Sequence, residues 1–154
     1  MDNRRTSSNC WIAHNEDSIT REVVERISKL VQIPSSHSEA YQVVHYENSQ
    51  EYQPHLDTFD PNNQGYSPYL KNGGQRVVTA LAYLNDVIEG GETVFPNLDK
   101  SVTPEKGKIV IFHLCKKGTY EPNPDALHGG MPVTKGEKWA FNLWFREKEV
   151  SKRP

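Results

Sequence analysis

The sequence predicts a mainly β domain of the sandwich or jelly-roll type, with one supporting helix near the N-terminus. Three observations predict it. After residue 40, segments rich in β-branched and aromatic residues recur, each bounded by Gly, Pro or Asn. Before them, one segment alone carries the three-and-four apolar spacing of a helix. The strands then follow one another too closely for βαβ crossovers, which leaves mainly antiparallel pairing. Two sheets packed face to face bury both apolar faces and limit exposed edges. The chain of 154 residues suits one domain, and its 35% hydrophobic and 25% charged composition is that of a globular rather than a disordered chain.

The helix is predicted over residues 17–31, with Ile19, Val23, Ile27 and Leu30 or Val31 as its buried stripe. Asp17 or Ser18 caps its start, and Pro34 lies just past its end. The predicted strands are 41–47, 51–57, 76–84, 108–114 and 138–145, with short additions near 91–95 and 101–103. Pro54 marks its strand as an edge or as irregular. Residues 58–75 and 115–130 are rich in Pro, Asn and Gly and read as long loops. Their place beside the best ligand candidates predicts lids rather than surface decoration.

Charge excludes some functions. Lys plus Arg is 18 and Asp plus Glu is 20, a formal net charge of −2, which gives no electrostatic case for nucleic acid or an anionic membrane. No apolar run approaches the roughly 20 residues that cross a bilayer, and MDNRRTSSNCW lacks the apolar stretch of a secretory leader. A cytoplasmic location is the default expectation. Cys10 and Cys115 form no CxxC pair and are expected as free thiols. No feature of the sequence sets an oligomeric state.

The strongest local feature is His55-Leu56-Asp57. In a strand, residues i and i+2 share a face, so this imidazole and carboxylate can reach one metal from the same side. A second histidine would complete a two-histidine, one-carboxylate face, which leaves coordination positions open as non-haem Fe(II) oxygenases require. Six histidines are present: His14, His37, His45, His55, His113 and His128. His128, in ALHGGMPV before a strongly patterned strand, is the best partner, with His113 in IVIFHL its rival. In that later strand Lys138, Ala140, Asn142 and Trp144 share one face, and Trp139, Phe141, Leu143 and Phe145 the other. The second set reads as sheet core, while the first could line a cavity. Lys138 at its mouth suits the distal carboxylate of a small acid, and the phenol of Tyr46 could donate to the same group. Glu92, after Gly90-Gly91, is a candidate pocket acid or a plain turn residue.

The chain resembles the catalytic region of iron- and 2-oxoglutarate-dependent prolyl 4-hydroxylases of the collagen-type, plant, algal and viral branch. The resemblance covers about residues 4–146. It rests on RTSSNCW at 5–11, VVHYENSQEYQPHLDTFD at 43–60, GGQRVVTALAYLNDVIEGGETVFP at 73–96, GKIVIFH at 107–113 and LHGGMPVTKGEKWAFNLWF at 127–145. It implies a double-stranded β-helix fold. It also implies His55, Asp57 and His128 as catalytic iron ligands, Lys138 as the catalytic-site cation on the distal carboxylate of 2-oxoglutarate, and Tyr46 as its helper. A lysine here, where the hypoxia-sensing relatives use arginine, favours the collagen-type branch. Arg76 matches an arginine facing the peptide groove, and Trp144 an aromatic near the cavity. Tyr66 and Tyr69 join them as candidate contacts to a proline-rich or collagen-like peptide.

The implied cofactor set is Fe(II), with 2-oxoglutarate and O2 as co-substrates and ascorbate in attendance. The implied reaction is proline hydroxylation coupled to release of succinate and CO2. Family catalytic regions start some tens of residues upstream of RTSS. The chain is therefore expected as one oxygenase domain, 1–154, shortened at its N-terminus and exposing a sheet edge. The competing readings are a 2-oxoglutarate oxygenase for another substrate and a non-catalytic jelly-roll binding protein.

Overall fold

The computed structural model describes residues 5–151; residues 1–4 and 152–154 of the expected domain lie outside them. In chain order the elements are β1 (Ser8–Ile12), α1 (Ser18–Val31), β2 (Tyr41–Tyr46), β3 (Tyr52–His55), α2 (Ser67–Lys71), β4 (Arg76–Tyr83), β5 (Glu89–Gly90), β6 (Thr93–Phe95), β7 (Lys100–Val102), β8 (Ile109–His113), β9 (His128–Gly130), β10 (Val133–Lys135) and β11 (Lys138–Arg146). The larger sheet has the order β1-β2-β11-β4-β8, and the smaller the order β3-β9-β6-β7. β10 and β5 form a separate short pair. The pairs between these strands are antiparallel. This is the predicted double-stranded β-helix, or jelly roll.

Side-chain alternation in β11 divides the core into two layers. Leu143 and Phe145 point outward, with Phe141 beside them, and meet Val24 and Ile27 of α1 together with Tyr41, Val78 and Ala80. Ala140 points inward with Val44, Tyr46, Leu81 and Tyr83 into the space between the sheets. Asp17 caps α1 through a reciprocal pair with Thr20, and Tyr41 ties the helix down by donating its hydroxyl to the Thr20 carbonyl at 2.6 Å.

The predicted helix stripe needs correction at two positions. Ile19 and Leu30 are 69% and 66% exposed, whereas Val24, Ile27 and Ser28 are the buried residues of α1. The stripe that faces the sheet runs through Val24, Ile27 and Val31, so the helix is rolled away from the spacing read first and leaves Ile19 and Leu30 on its flank. The 51–57 strand is shorter than predicted. It ends at His55, and Pro54 lies on an edge strand of the smaller sheet, as its missing donor demands.

The two long loops contain structure of their own. Residues 58–75 hold a 3₁₀ turn and α2, and residues 115–130 end in β9. β1 is an outer edge, with Ser8 to Trp11 exposed. Both thiols are free. Among the described residues no helix is long and apolar enough to cross a membrane.

Candidate functional site

The site is built on one cross-strand pair. His55 ends β3, His128 begins β9, and the two are direct partners in the register. Opposite residues on one face hold their Cβ atoms about 5 Å apart, and here the two imidazole centroids lie 4.5 Å apart. Asp57 follows just past the end of β3. Its Oδ1 is 3.4 Å from His55 Nε2, and its Oδ2 is 3.6 Å from His128 Nε2. One ligand atom from each of the three lies within 4.8 Å of the others, and all three residues are buried.

Backbone geometry sets the imidazole tautomers. His55 Nδ1 is 2.9 Å from the Gln53 carbonyl, and His128 Nδ1 is 2.9 Å from the Ala126 carbonyl. A carbonyl only accepts, so Nδ1 carries the proton and Nε2 presents its lone pair to the centre. The Asp57 carboxylate is also aimed. Its Oδ2 accepts from Thr79 Oγ1 at 2.7 Å and from Trp144 Nε1 at 2.9 Å.

Burial alone would raise the Asp57 pKa. Arg76, together with His128 and His55 in their protonated forms, outweighs it and holds this carboxyl well below the usual range. Burial pushes His128 the other way, toward the neutral imidazole, against the pull of Asp57. A carboxylate and two neutral imidazoles with free Nε2 atoms are the forms a metal ion binds.

A second group of residues lies deeper between the sheets. Lys138, 3% exposed, pairs with Tyr46 across β11 and β2. Its Nζ donates to the Gly91 carbonyl at 2.7 Å and lies 5.0 Å from the Tyr46 ring centroid and 5.5 Å from that of Tyr83. Burial lowers its pKa to about 8, with the Glu92 charge opposing. Tyr83 donates its hydroxyl to Thr93 Oγ1 at 2.7 Å. A small cavity of about 30 Å³ is lined by Lys138, Tyr46, Thr93, His55 and His128 together.

On the other side of the cluster opens a groove of about 1060 Å³. Tyr66, Tyr69, Arg76 and Trp144 line it. Tyr66 and Tyr69 gather around Phe59, with ring centroids at 5.3 and 5.4 Å. Arg76 is half-buried. It grips Glu39 with both Nε and Nη2 at 2.7 Å and lies 3.7 Å from the Trp144 ring centroid. Trp144 thus presents a face to Arg76 and its N–H to Asp57.

The other histidines lie away from the cluster. His113 is exposed on β8. His45 pairs with Glu137 at 2.8 Å and stacks on Trp139. His14 and His37 bond to backbone carbonyls of Glu39 and Arg146.

Sequence reasoning missed four neighbours of the site. Thr79 and Thr93 are buried hydroxyls, and the lone polar residue inside VVTALAY was a usable signal for the first. Tyr52 stacks on His55 at 3.7 Å, and the Arg5 guanidinium lies 4.2 Å from the Tyr52 centroid. Only the tertiary structure assembles that column.

Two facing antiparallel sheets with two imidazoles and a carboxylate between them define a metal-centred jelly-roll protein. Residues 41–146 match the model of the 2OG-Fe(II) oxygenase superfamily, and the chain belongs to that family. Comparison with individual proteins agrees. A protein of Acanthamoeba polyphaga mimivirus carrying a prolyl 4-hydroxylase name is 38% identical over 149 residues, covering 97% of this chain and 61% of that protein. Prolyl 4-hydroxylase 1 of Arabidopsis thaliana is 39% identical over 163 residues, covering 96% of this chain and 55% of that protein. The chain therefore spans a little over half the length of these curated relatives. The crystal structure of viral collagen prolyl hydroxylase from Paramecium bursaria Chlorella virus-1, a complex with 2OG, superposes with a TM-score of 0.79 at 28% identity. It covers 93% of this chain and 80% of that one.

Proposed function

We propose that this chain is the catalytic region of an Fe(II)- and 2-oxoglutarate-dependent prolyl 4-hydroxylase acting on extended, proline-containing peptides. One observation carries the reading. The buried His55–Asp57–His128 cluster lies between a small pocket that contains the Lys138 cation and a wide aromatic groove. The donor set fits Fe(II), because two imidazoles and one carboxylate leave positions open for co-substrate and oxygen. When bound, the iron supplies the oxidative chemistry that couples decarboxylation of 2-oxoglutarate to succinate and CO2 with C4 hydroxylation of proline, with ascorbate as an accessory reductant.

The residues of the chain bind and orient. His55, Asp57 and His128 hold the metal, while Thr79 and Trp144 fix the carboxylate that completes the triad. Lys138 has three donor protons and spends one on Gly91, which leaves two for the distal carboxylate of 2-oxoglutarate. Tyr46 and Thr93 line the same pocket and add hydroxyls. In the groove, Arg5 lies over the Tyr52 ring and adds a positive charge to the lining. Tyr66, Tyr69 and Trp144 offer aromatic surface to proline rings, and Arg76 faces the same groove. The names of the curated relatives and of the viral structure support proline as the target.

The test is anaerobic loading with Fe(II) and 2-oxoglutarate, followed by oxygen, ascorbate and proline-rich peptides. Mass spectrometry is expected to find one added oxygen on proline, matched by succinate. A loaded protein that adds oxygen to none of the proline-rich peptides tried would remove the reading.

A further inference from the structure

Trp144 touches the metal cluster and the groove at once. Its indole N–H donates to Asp57 Oδ2 at 2.9 Å, and the same oxygen accepts from Thr79 Oγ1 at 2.7 Å. Oδ1 takes part in neither bond and lies 3.4 Å from His55 Nε2. Two donors on one oxygen leave the other for a metal, which then meets a carboxylate of fixed orientation. The two donors differ in what they can sense. Thr79 is fully buried on β4 and is not among the described residues that line the groove. Trp144 is part of the groove lining. The Arg76 guanidinium lies 3.7 Å from its ring centroid, and the Trp11 ring lies at 6.0 Å on its other contact. Arg76 and Trp11 line the groove as well, and Trp11 is 53% exposed.

One indole thus stands between two binding sites. A cation over its face draws on the π electrons, which makes the N–H at the ring edge a better donor. In an empty groove, water screens both contacts. A peptide that fills the groove removes that water, and each electrostatic contact strengthens as the local dielectric falls. We propose that Trp144 is a positioning residue that couples peptide in the groove to metal at the cluster. An occupied groove tightens the indole bond to Asp57, and the better-held carboxylate binds the metal more tightly. The inference rests on the groove being the peptide site. Linkage makes the coupling reciprocal, so bound metal strengthens peptide binding by the same factor.

Calorimetric titration with Mn(II), with and without saturating poly-L-proline, tests the coupling. In the wild-type protein the peptide is expected to tighten Mn(II) binding about fivefold or more, and Mn(II) to tighten peptide binding equally. Trp144→Phe keeps a ring in the groove and loses the donor, so its coupling factor is expected to fall to about one. Thr79→Val loses the other donor to the same oxygen. Its Mn(II) affinity also falls, but its coupling factor is expected to persist. That contrast separates coupling from a merely structural hold on the carboxylate. The indole N–H proton resonance that disappears in Trp144→Phe is expected to move downfield when poly-L-proline is added to the metal-free wild type, as a stronger hydrogen bond requires. A wild-type factor near one, a factor that survives in Trp144→Phe, or one lost equally in Thr79→Val would overturn the proposal, as would a resonance that stays in place. Failure of poly-L-proline to bind would overturn it together with the peptide reading of the groove. Coupled binding with no oxygen added to any proline would support the coupling and remove only the hydroxylase reading.

Discussion

At the residue scale, the centre works by setting protonation states before a metal arrives. His55 and His128 spend Nδ1 on backbone carbonyls, and Asp57 is kept ionised by the charges around it. His128→Ala and Asp57→Ala are therefore expected to abolish turnover in the succinate assay. Thr79→Val and Trp144→Phe keep the ligands but release the carboxylate, and they are expected to weaken Fe(II) binding about 10- to 100-fold by titration. Lys138 offers a pH test. Its ammonium form is lost as pH rises through about 8, so the KM for 2-oxoglutarate is expected to climb above that point. Stability of the metal-free protein moves oppositely. The unfolded state holds the Lys138 proton up to its ordinary 10.5, so this group's contribution to stability grows between about 8 and 10. In Lys138→Met both slopes should flatten, seen in kinetic profiles and urea melts.

At the element scale, the helix and the short strands carry different loads. Ile27 sits in the outer core against Phe145 and Val78, so Ile27→Ala is expected to cost about 2–4 kcal/mol in urea unfolding. Ile19→Ala, on the exposed flank, should change stability by less than about 0.5 kcal/mol. β9 is the strand that brings His128 to His55, and Gly129 is why it can. A Cβ at Gly129 would meet the Pro54 nitrogen and the Tyr52 carbonyl at 3.0 Å, both backbone atoms of β3. Gly129→Ala is expected to separate the two strands and lower metal affinity more than it lowers stability, as calorimetry with and without metal would show. β9 itself escaped the sequence reading because His-Gly-Gly has no strand propensity; three residues become a strand only between β3 and β6. The long strands were legible because alternation is local. The parity of β11 correctly separated Lys138, Ala140, Asn142 and Trp144 from Leu143 and Phe145, but Trp139, read as core with the latter, is exposed and stacks on His45 beyond the reach of α1.

At the scale of the whole molecule, a bound metal would join β3 to its neighbour β9 in the smaller sheet and should act on global stability. A metal that binds only the folded state at about 100 times its Kd adds roughly 2.7 kcal/mol. Adding Mn(II), as a redox-quiet stand-in, is expected to raise Tm, EDTA to reverse the rise, and Asp57→Ala to show none. The sequence by itself determined the fold class, the main strands, the His55-Asp57 pair and the inward face of β11. Each is encoded in side chains near one another along the chain, with periods of two or of three and four. That His128 rather than His113 faces His55, that Arg5 and Tyr52 stack behind it, and that Arg146 donates to the carbonyls of Tyr69, Asn72 and Gly74 emerges only from the folded chain. Those contacts join residues far apart in sequence, and their register is set by how two complete sheets pack rather than by any local preference.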